Sequence, residues 1–226
     1  MIDELLPDTV VTVETHDPYD AGHSPLLPEE EPFVARAVDK RRREFTVVRS
    51  CARRAMRKFG VPPQPVLPGE RGAPRWPDGL VGSMTHCDGY CAAALARATD
   101  LASLGIDAEP DGPLLDGVLP AVSLPGEVER LRRLAGEHPG IHWERLLFSA
   151  KESVFKAWFP LTGQWLDFEE ADIEISVDPD DGRRGGLRAA LLVPGPCVGG
   201  RRLTHFEGRW TARRGLVATA IPVPHA

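Results

Sequence analysis

The 226-residue chain is predicted to fold as an α+β protein of two halves, each a long helix with several strands packed on it. Three patterns lead there. Residues 40–59 and 142–159 repeat apolar side chains at helical spacing. Short β-branched and small apolar runs, bounded by Gly, Pro and Asp, accompany each of them. The last four runs follow one another with only turns between, which fits an antiparallel sheet facing the second helix. The halves are placed at residues 1–104 and 105–226. No internal sequence repeat relates them.

Val10–Val13 opens the chain as a strand, and the Pro/Glu-rich residues 25–32 read as loop plus a short helix. The clearest helix runs from Lys40 to Phe59, with Asp39 as N-cap, Gly60 as its stop and Pro62 just beyond. Its apolar stripe is Phe45, Val48, Ala52, Ala55, Met56 and Phe59. Arg41 projects onto the middle of that stripe and Arg49 onto its edge, whereas Arg43, Arg54, Arg57 and Lys58 point to solvent. A guanidinium on an inward face calls for a carboxylate or a phosphate. Residues 61–79 hold six prolines and can be neither helix nor central strand. Arg71 sits there near Gly69 and Gly72, in either a plain linker or a place where backbone approaches a flat ligand. Leu80–Met84 is a short strand leading to Thr85 and His86, beside a glycine turn, a position suited to phosphate contact. Tyr90–Ala96 is a buried strand.

Leu104–Pro110 is the next strand. Side chains alternate along it, so Asp107 and Glu109 share one face. Residues 113–125 are apolar and turn-rich, and a helix follows from Gly126 to Glu137. The second long helix starts near His142 and is stopped by Pro160. Leu147, Phe148, Phe155, Trp158 and Phe159 make its apolar arc. Lys151 and Glu144 fall inside that arc, and Glu152 sits at its edge with Lys156 one turn on. Charges on an inward face must pair, bind a metal or meet a charged ligand. The pattern by itself fits an internal ion-pair network as well as a site. Strands at Ala171–Val177, Leu187–Val193, Arg202–Ala212 and Leu216–Pro222 complete the chain.

The net charge of -6 hides an asymmetry: residues 1–31 carry nine acids and no base, while residues 36–58 carry ten Lys/Arg against Asp39 and Glu44. The basic segment suggests an anionic partner. Cys51, Cys87, Cys91 and Cys197 show neither a disulfide framework nor a zinc pattern, and free thiols fit a reducing cytosol. The acidic N-terminus lacks a signal-peptide core and no run is long enough to span a bilayer, so the expected location is cytoplasmic.

Two carboxylates on one strand face can bind a single hard cation through oxygen, leaving positions for water and phosphate. The immediate proline puts Asp107 and Glu109 at the mouth of a core strand. Gly105–Ile106–Asp107–Ala108–Glu109, followed about forty residues on by Phe148-x-x-Lys151–Glu152–Ser153-x-x-Lys156, resembles the paired signature of the 4'-phosphopantetheinyl transferases. The likeness is to the larger, pseudodimeric class that activates nonribosomal peptide and polyketide synthases. Lys40–Arg41–Arg42–Arg43–Glu44–Phe45, Arg49-x-Cys51–Ala52 and Ser83–Met84–Thr85–His86–Cys87 agree, so the resemblance runs from about residue 28 to 222. Phe148 stands where many relatives carry Trp, and Pro68 and Glu70 stand where some offer another base.

The resemblance implies two halves related by a pseudo-twofold with the ligand between them. It implies transfer of the 4'-phosphopantetheine arm of coenzyme A to a serine of an apo carrier domain, leaving 3',5'-ADP. Asp107, Glu109 and Glu152 match the ligands of Mg²⁺, for which Mn²⁺ could substitute. Lys151 and Lys156 match residues at the phosphates, Lys156 most directly. Arg41, Arg49 and His86 match residues that hold the nucleotide and its 3'-phosphate, and Thr85 with the backbone near Arg71 matches the adenine-side wall. Glu152, Lys156 and Asp107 are the expected catalytic set, with Glu152 as base and Glu109 or a bound water as alternatives. The implied partners are acyl and peptidyl carrier domains of polyketide, nonribosomal peptide or fatty acid synthases, docking along residues 114–124 and the helix after them. A monomer with neither nucleic-acid nor membrane partner is expected. The rival readings are a Mg²⁺-dependent nucleotide phosphohydrolase and a noncatalytic nucleotide- or RNA-binding protein. Against RNA, the basic helix has no interleaved aromatics.

Overall fold

The computed structural model describes residues 1–19 and 22–225. Strand β1 (Val11–Thr15), helix α1 (Asp39–Lys58) and strands β2 (Leu80–Cys87) and β3 (Tyr90–Arg97) come first. Strand β4 (Leu101–Pro110) leads to α2 (Val118–Val122), α3 (Pro125–Glu137) and α4 (Trp143–Thr162). The chain ends in β5 (Ala171–Val177), β6 (Arg184–Leu191), the small β7–β8 hairpin (Cys197–Val198, Arg201–Arg202), β9 (His205–Arg213) and β10 (Leu216–Pro224). One antiparallel sheet has the order β1-β3-β2 and the other β4-β10-β9-β6-β5. The path β1–α1–β2–β3 with the last strand central is repeated as β4–α4–β9–β10, and β6 and β5 extend the second sheet.

Strand parity sets the cores. In β3, Cys91, Ala93 and Leu95 face α1, while Tyr90, Ala92 and Ala94 face the other way. In β10, Val217, Ile221 and Val223 face α4, while Leu216, Ala218 and Ala220 face the first half. The outward faces meet in a shared cluster with Ile2, Leu5, Leu104 and Ile106, so the halves are fused along a buried seam. Alanines of β3, β4 and β10 line part of it, which lets the sheets approach closely. Strands β2 and β4 lie side by side there without a backbone ladder. Instead Ile106 N–H donates to Ser83 Oγ (3.1 Å) and Ala108 N–H to Thr85 Oγ1 (3.1 Å).

Helix α4 packs backbone to backbone on β4. A Cβ on Gly105 would lie 1.9 Å from Ser153 O and 2.8 Å from Ala157 N. Small hydroxyls fill the rest of the contact: Ser103 Oγ donates to Ala157 O at 2.7 Å, and Ser149, Ser153 and Thr219 bond one another. Lys151, only 3% exposed, sits on the far side of α4. Its ammonium is 2.8 Å from Glu127 Oε1 and donates to the carbonyls of Phe168 and Ala171. Glu127 also accepts from Leu124 N–H, which caps α3, and from Ile173 N–H on the free edge of β5. Arg130 donates to the Ile173 carbonyl on that same edge.

Several expectations need correction. Val38 occupies the N-cap of α1, and Asp39 is its first helical residue. Helix α4 runs through Pro160 to Gly163, whose left-handed backbone (φ 64°) ends it. A proline in the last turn removes one helical hydrogen bond, and buried Trp158 and Phe159 hold the turn regardless. Phe148 and Phe155 are half-buried, because the face of α4 against the sheet is Leu146, Leu147, Ala150, Val154 and Ala157. Glu144 is half-exposed in the first turn, where the helix dipole favours an acid. The division at 104/105 falls inside β4; the chain crosses between sheets at residues 98–100. The cysteines are free, as the sequence leads one to expect.

Two stability predictions follow from these contacts. Gly105→Ala should cost at least about 3 kcal/mol, read as a lower urea midpoint at unchanged slope, because backbone must move to admit the methyl. Lys151→Met should cost about 3–5 kcal/mol by stranding the Glu127 carboxylate. Adding Glu127→Gln should recover part of that loss in the same denaturation experiment, since the charge is removed while one backbone N–H loses its acceptor.

Candidate active site

A cleft of about 740 Å³ opens between α1, β2, the loop around Arg71 and the C-terminal half of α4. Arg41, Arg49, Arg71 and His86 of the first half face Glu152 and Lys156 of the second across it. The expected cations and an expected acid thus converge from elements far apart in the sequence. Trp76 and Phe155 supply apolar walls that sequence reading missed. Trp76 is fixed by its indole N–H on Gly82 O (2.9 Å).

Asp107 lies behind the cleft surface, 4% exposed. Its Oδ1 accepts from Lys156 Nζ (2.7 Å) and Thr85 Oγ1 (3.2 Å). Its Oδ2 is buried and has no hydrogen-bond partner among the described residues. Lys156 also donates to Ile106 O (3.1 Å), which leaves one of its three N–H groups for a ligand. Glu152 lies one turn before Lys156, and no described residue donates a hydrogen bond to its carboxylate. Burial raises its pKa above the usual carboxylate value; Lys156 opposes the rise and Asp107 adds to it. Glu109 is also raised, first by burial and then by Asp107, with Arg145 opposing.

On the opposite wall, Arg41 Nη1 lies 2.8 Å from His86 Nε2, and His86 Nδ1 lies 3.5 Å from Glu44. Burial and the charges of Arg41 and Lys156 push the His86 pKa down to about 4. The ring is therefore neutral at pH 7, accepts at Nε2 and carries its proton on Nδ1. Arg49 is buried, stacked on Phe45, and donates to Val66 O (2.9 Å). Burial lowers its pKa to about 10, so it stays charged. Arg71 adopts a left-handed backbone (φ 51°), and its guanidinium lies 5.0 Å from the Trp165 ring. An unforeseen hub anchors this wall. Fully buried Glu30 accepts from Arg53 (2.7 Å), Val66 N–H and Leu27 N–H, tying α1 to both flanking loops. Arg53 lies four residues after Arg49, a helical spacing that could have revealed it.

Four expected site residues do not line the cleft: Lys151, Thr85, Asp107 and Glu109. Lys151 does not line the cleft; its charge is taken up by Glu127, which is the internal ion-pair alternative. Thr85 is buried between β2 and β4, and its hydroxyl is used on Asp107 and Ala108 rather than on a cleft wall. Asp107, Glu109 and Glu152 do not form a ready-made metal cage: among the described residues no three His, Cys, Asp or Glu side chains are so gathered. Separate bases hold the first two, Lys156 at Asp107 and Arg145 Nη1 at Glu109 (3.2 Å). Arg145 went unremarked in the sequence, although a base in a helix's first turn opposes the dipole and so signals a specific partner.

Comparison with known proteins shows the family. Residues 29–96 match the 4'-phosphopantetheinyl transferase N-terminal domain, and residues 103–212 match the 4'-phosphopantetheinyl transferase superfamily. The chain is 63% identical over 224 residues to 4'-phosphopantetheinyl transferase Svp of Streptomyces mobaraensis, covering 99% of this chain and 89% of that one. It is 50% identical over 195 residues to PptT of Mycobacterium tuberculosis (86% and 85% covered). Against Npt of Nocardia iowensis it is 47% identical over 225 residues (98% and 99% covered). The chain belongs to the 4'-phosphopantetheinyl transferase superfamily.

Proposed function

We propose that the cleft holds coenzyme A with its phosphates between Arg41, Arg49 and Lys156, and that a carrier serine enters beside Glu152. As a 4'-phosphopantetheinyl transferase, the chain moves the phosphopantetheine arm of coenzyme A to carrier proteins. The observation that carries the geometry is Lys156, shared between buried Asp107 and a cleft whose far wall is cationic. The first half grips the nucleotide and the second supplies the reacting groups. The carriers are acyl and peptidyl domains of polyketide, nonribosomal peptide or fatty acid synthases, served by a cytoplasmic monomer. No helix of the described residues is long and apolar enough to cross a membrane.

The unpartnered Oδ2 of Asp107 and the all-oxygen donor set suit Mg²⁺, with Mn²⁺ as a substitute. Mg²⁺ is commonly held by one or two carboxylates plus substrate phosphates, so an incomplete protein cage fits it. Asp107, Glu109 and Glu152 would hold it, and when bound it would neutralise charge on the pyrophosphate. The chain's own groups do the rest. Arg41 and Arg49 bind and orient the nucleotide phosphates. Lys156 donates to the β-phosphate oxygens as charge builds on them. Glu152 takes the serine proton while Oγ bonds to the β-phosphorus and the bond to 3',5'-ADP breaks.

Incubation with coenzyme A, Mg²⁺ and an apo carrier should add one phosphopantetheine mass to the carrier. An unmodified carrier, or nucleotide cleavage that needs no carrier, would overturn this reading. Glu152→Gln should abolish transfer while circular dichroism and melting stay unchanged; normal turnover would remove Glu152 as base. Since a base must be deprotonated, the wild-type kcat/KM should rise with pH along an acid limb. Arg41→Ala should weaken coenzyme A binding by calorimetry by about tenfold or more, the loss of one charge-assisted contact.

A further inference from the structure

Arg145 stands in the first turn of α4, where a positive charge opposes the helix dipole, so something specific must hold it there. Its guanidinium is 19% exposed and makes three bonds. Nη1 donates to Glu109 Oε2 (3.2 Å), Nε to Gly112 O (3.2 Å) and Nη2 to Pro113 O (2.5 Å). The turn after β4 is tied to the same end of α4 a second time: Asp111 Oδ1 accepts from His142 N–H (2.9 Å) and lies 3.0 Å from its ring Nδ1. Glu109 is the last side chain of β4 on the Asp107 face before Pro110 ends the strand, and the guanidinium is its only hydrogen-bond partner among the described residues.

We propose that Arg145 is a positioning residue for cation binding. It grips one oxygen of Glu109, Oε2, and leaves Oε1 to the divalent ion shared with Asp107. Its other two N–H bonds fix the Gly112–Pro113 turn, so the Glu109 side chain has a rigid reference. The rigid fork of a guanidinium is needed because one group must meet a carboxylate and two carbonyls at once. Groups behind a metal ligand set its orientation, and their loss lowers metal affinity by about 10–100-fold. The inference rests on the cation site read above, and its test separates the two.

Mn²⁺ binding to the full chain with coenzyme A present, counted by electron paramagnetic resonance of the free ion against coenzyme A alone, is the direct readout; 3',5'-ADP affinity in EDTA is the control. Arg145→Gln should weaken Mn²⁺ binding about tenfold or more with 3',5'-ADP affinity unchanged. Arg145→Lys should fall between, since an ammonium can pair with Glu109 but cannot span both carbonyls. In Glu109→Gln, adding Arg145→Gln should cause no further loss. Should Arg145→Gln misfold, Arg145→Lys and the Glu109 pair decide. Wild-type Mn²⁺ affinity in the Arg145 variants overturns the positioning role while transfer itself stands. A wild-type enzyme that modifies its carrier yet binds no Mn²⁺ overturns the cation site, and the role with it. A Mn²⁺ loss matched by an equal loss of 3',5'-ADP affinity also overturns it, because a general distortion would then account for both.

Discussion

A buried carboxylate joins the parts of this enzyme. Asp107 belongs to β4, takes a proton donor from β2 through Thr85, and takes a cation from α4 through Lys156. An isolated charge at that depth would be strongly disfavoured, so the three elements must arrive together. Both sheets and the long helix of the second half are registered by this one meeting point. The same geometry that satisfies Oδ1 leaves Oδ2 with no protein partner among the described residues. Stability and ligand chemistry therefore draw on opposite sides of a single side chain.

The elements were largely legible because their signals are local. The stripe of α1, the buried run of β3 and the alternation in β4 each follow from periodicity within ten or twenty residues. The Gly105–Glu109 stretch was read for its acids, yet its glycine is equally determined, by the backbone of α4 pressing on it. Lys151 and Lys156 show where local reading stops. Five residues apart on one helix they point to different sides, and only tertiary neighbours decide which charge is internal. Glu127, which neutralises Lys151, lies on another helix, and no spacing rule links the two. Arg53 and Arg145 stood at telling helix positions, but no local rule names their partners: Glu30 and Glu109 lie far away in sequence. Pro160 misled because a proline near a helix end removes little that packing cannot replace.

The duplicated strand–helix–strand–strand path left no trace in the sequence. Each copy keeps only the pattern of inward and outward positions, and that pattern is met by many residue combinations. The site arises where the copies differ. Along the junction of β2 and β4, hydroxyl side chains stand in for a backbone ladder, so the sheets meet without becoming continuous. The cleft opens beside that interruption, cationic on the wall of α1 and mixed in charge on the wall of α4.

The outer edge of β5 is covered rather than bare, since Glu127 and Arg130 of α3 satisfy the N–H and carbonyl of Ile173. Open strand edges recruit other strands, from the same protein or a stranger. Helix α3 thus serves as a guard as well as a packing element. Loosening it would expose a template for intermolecular pairing, and solubility at high concentration would suffer before the chemistry did.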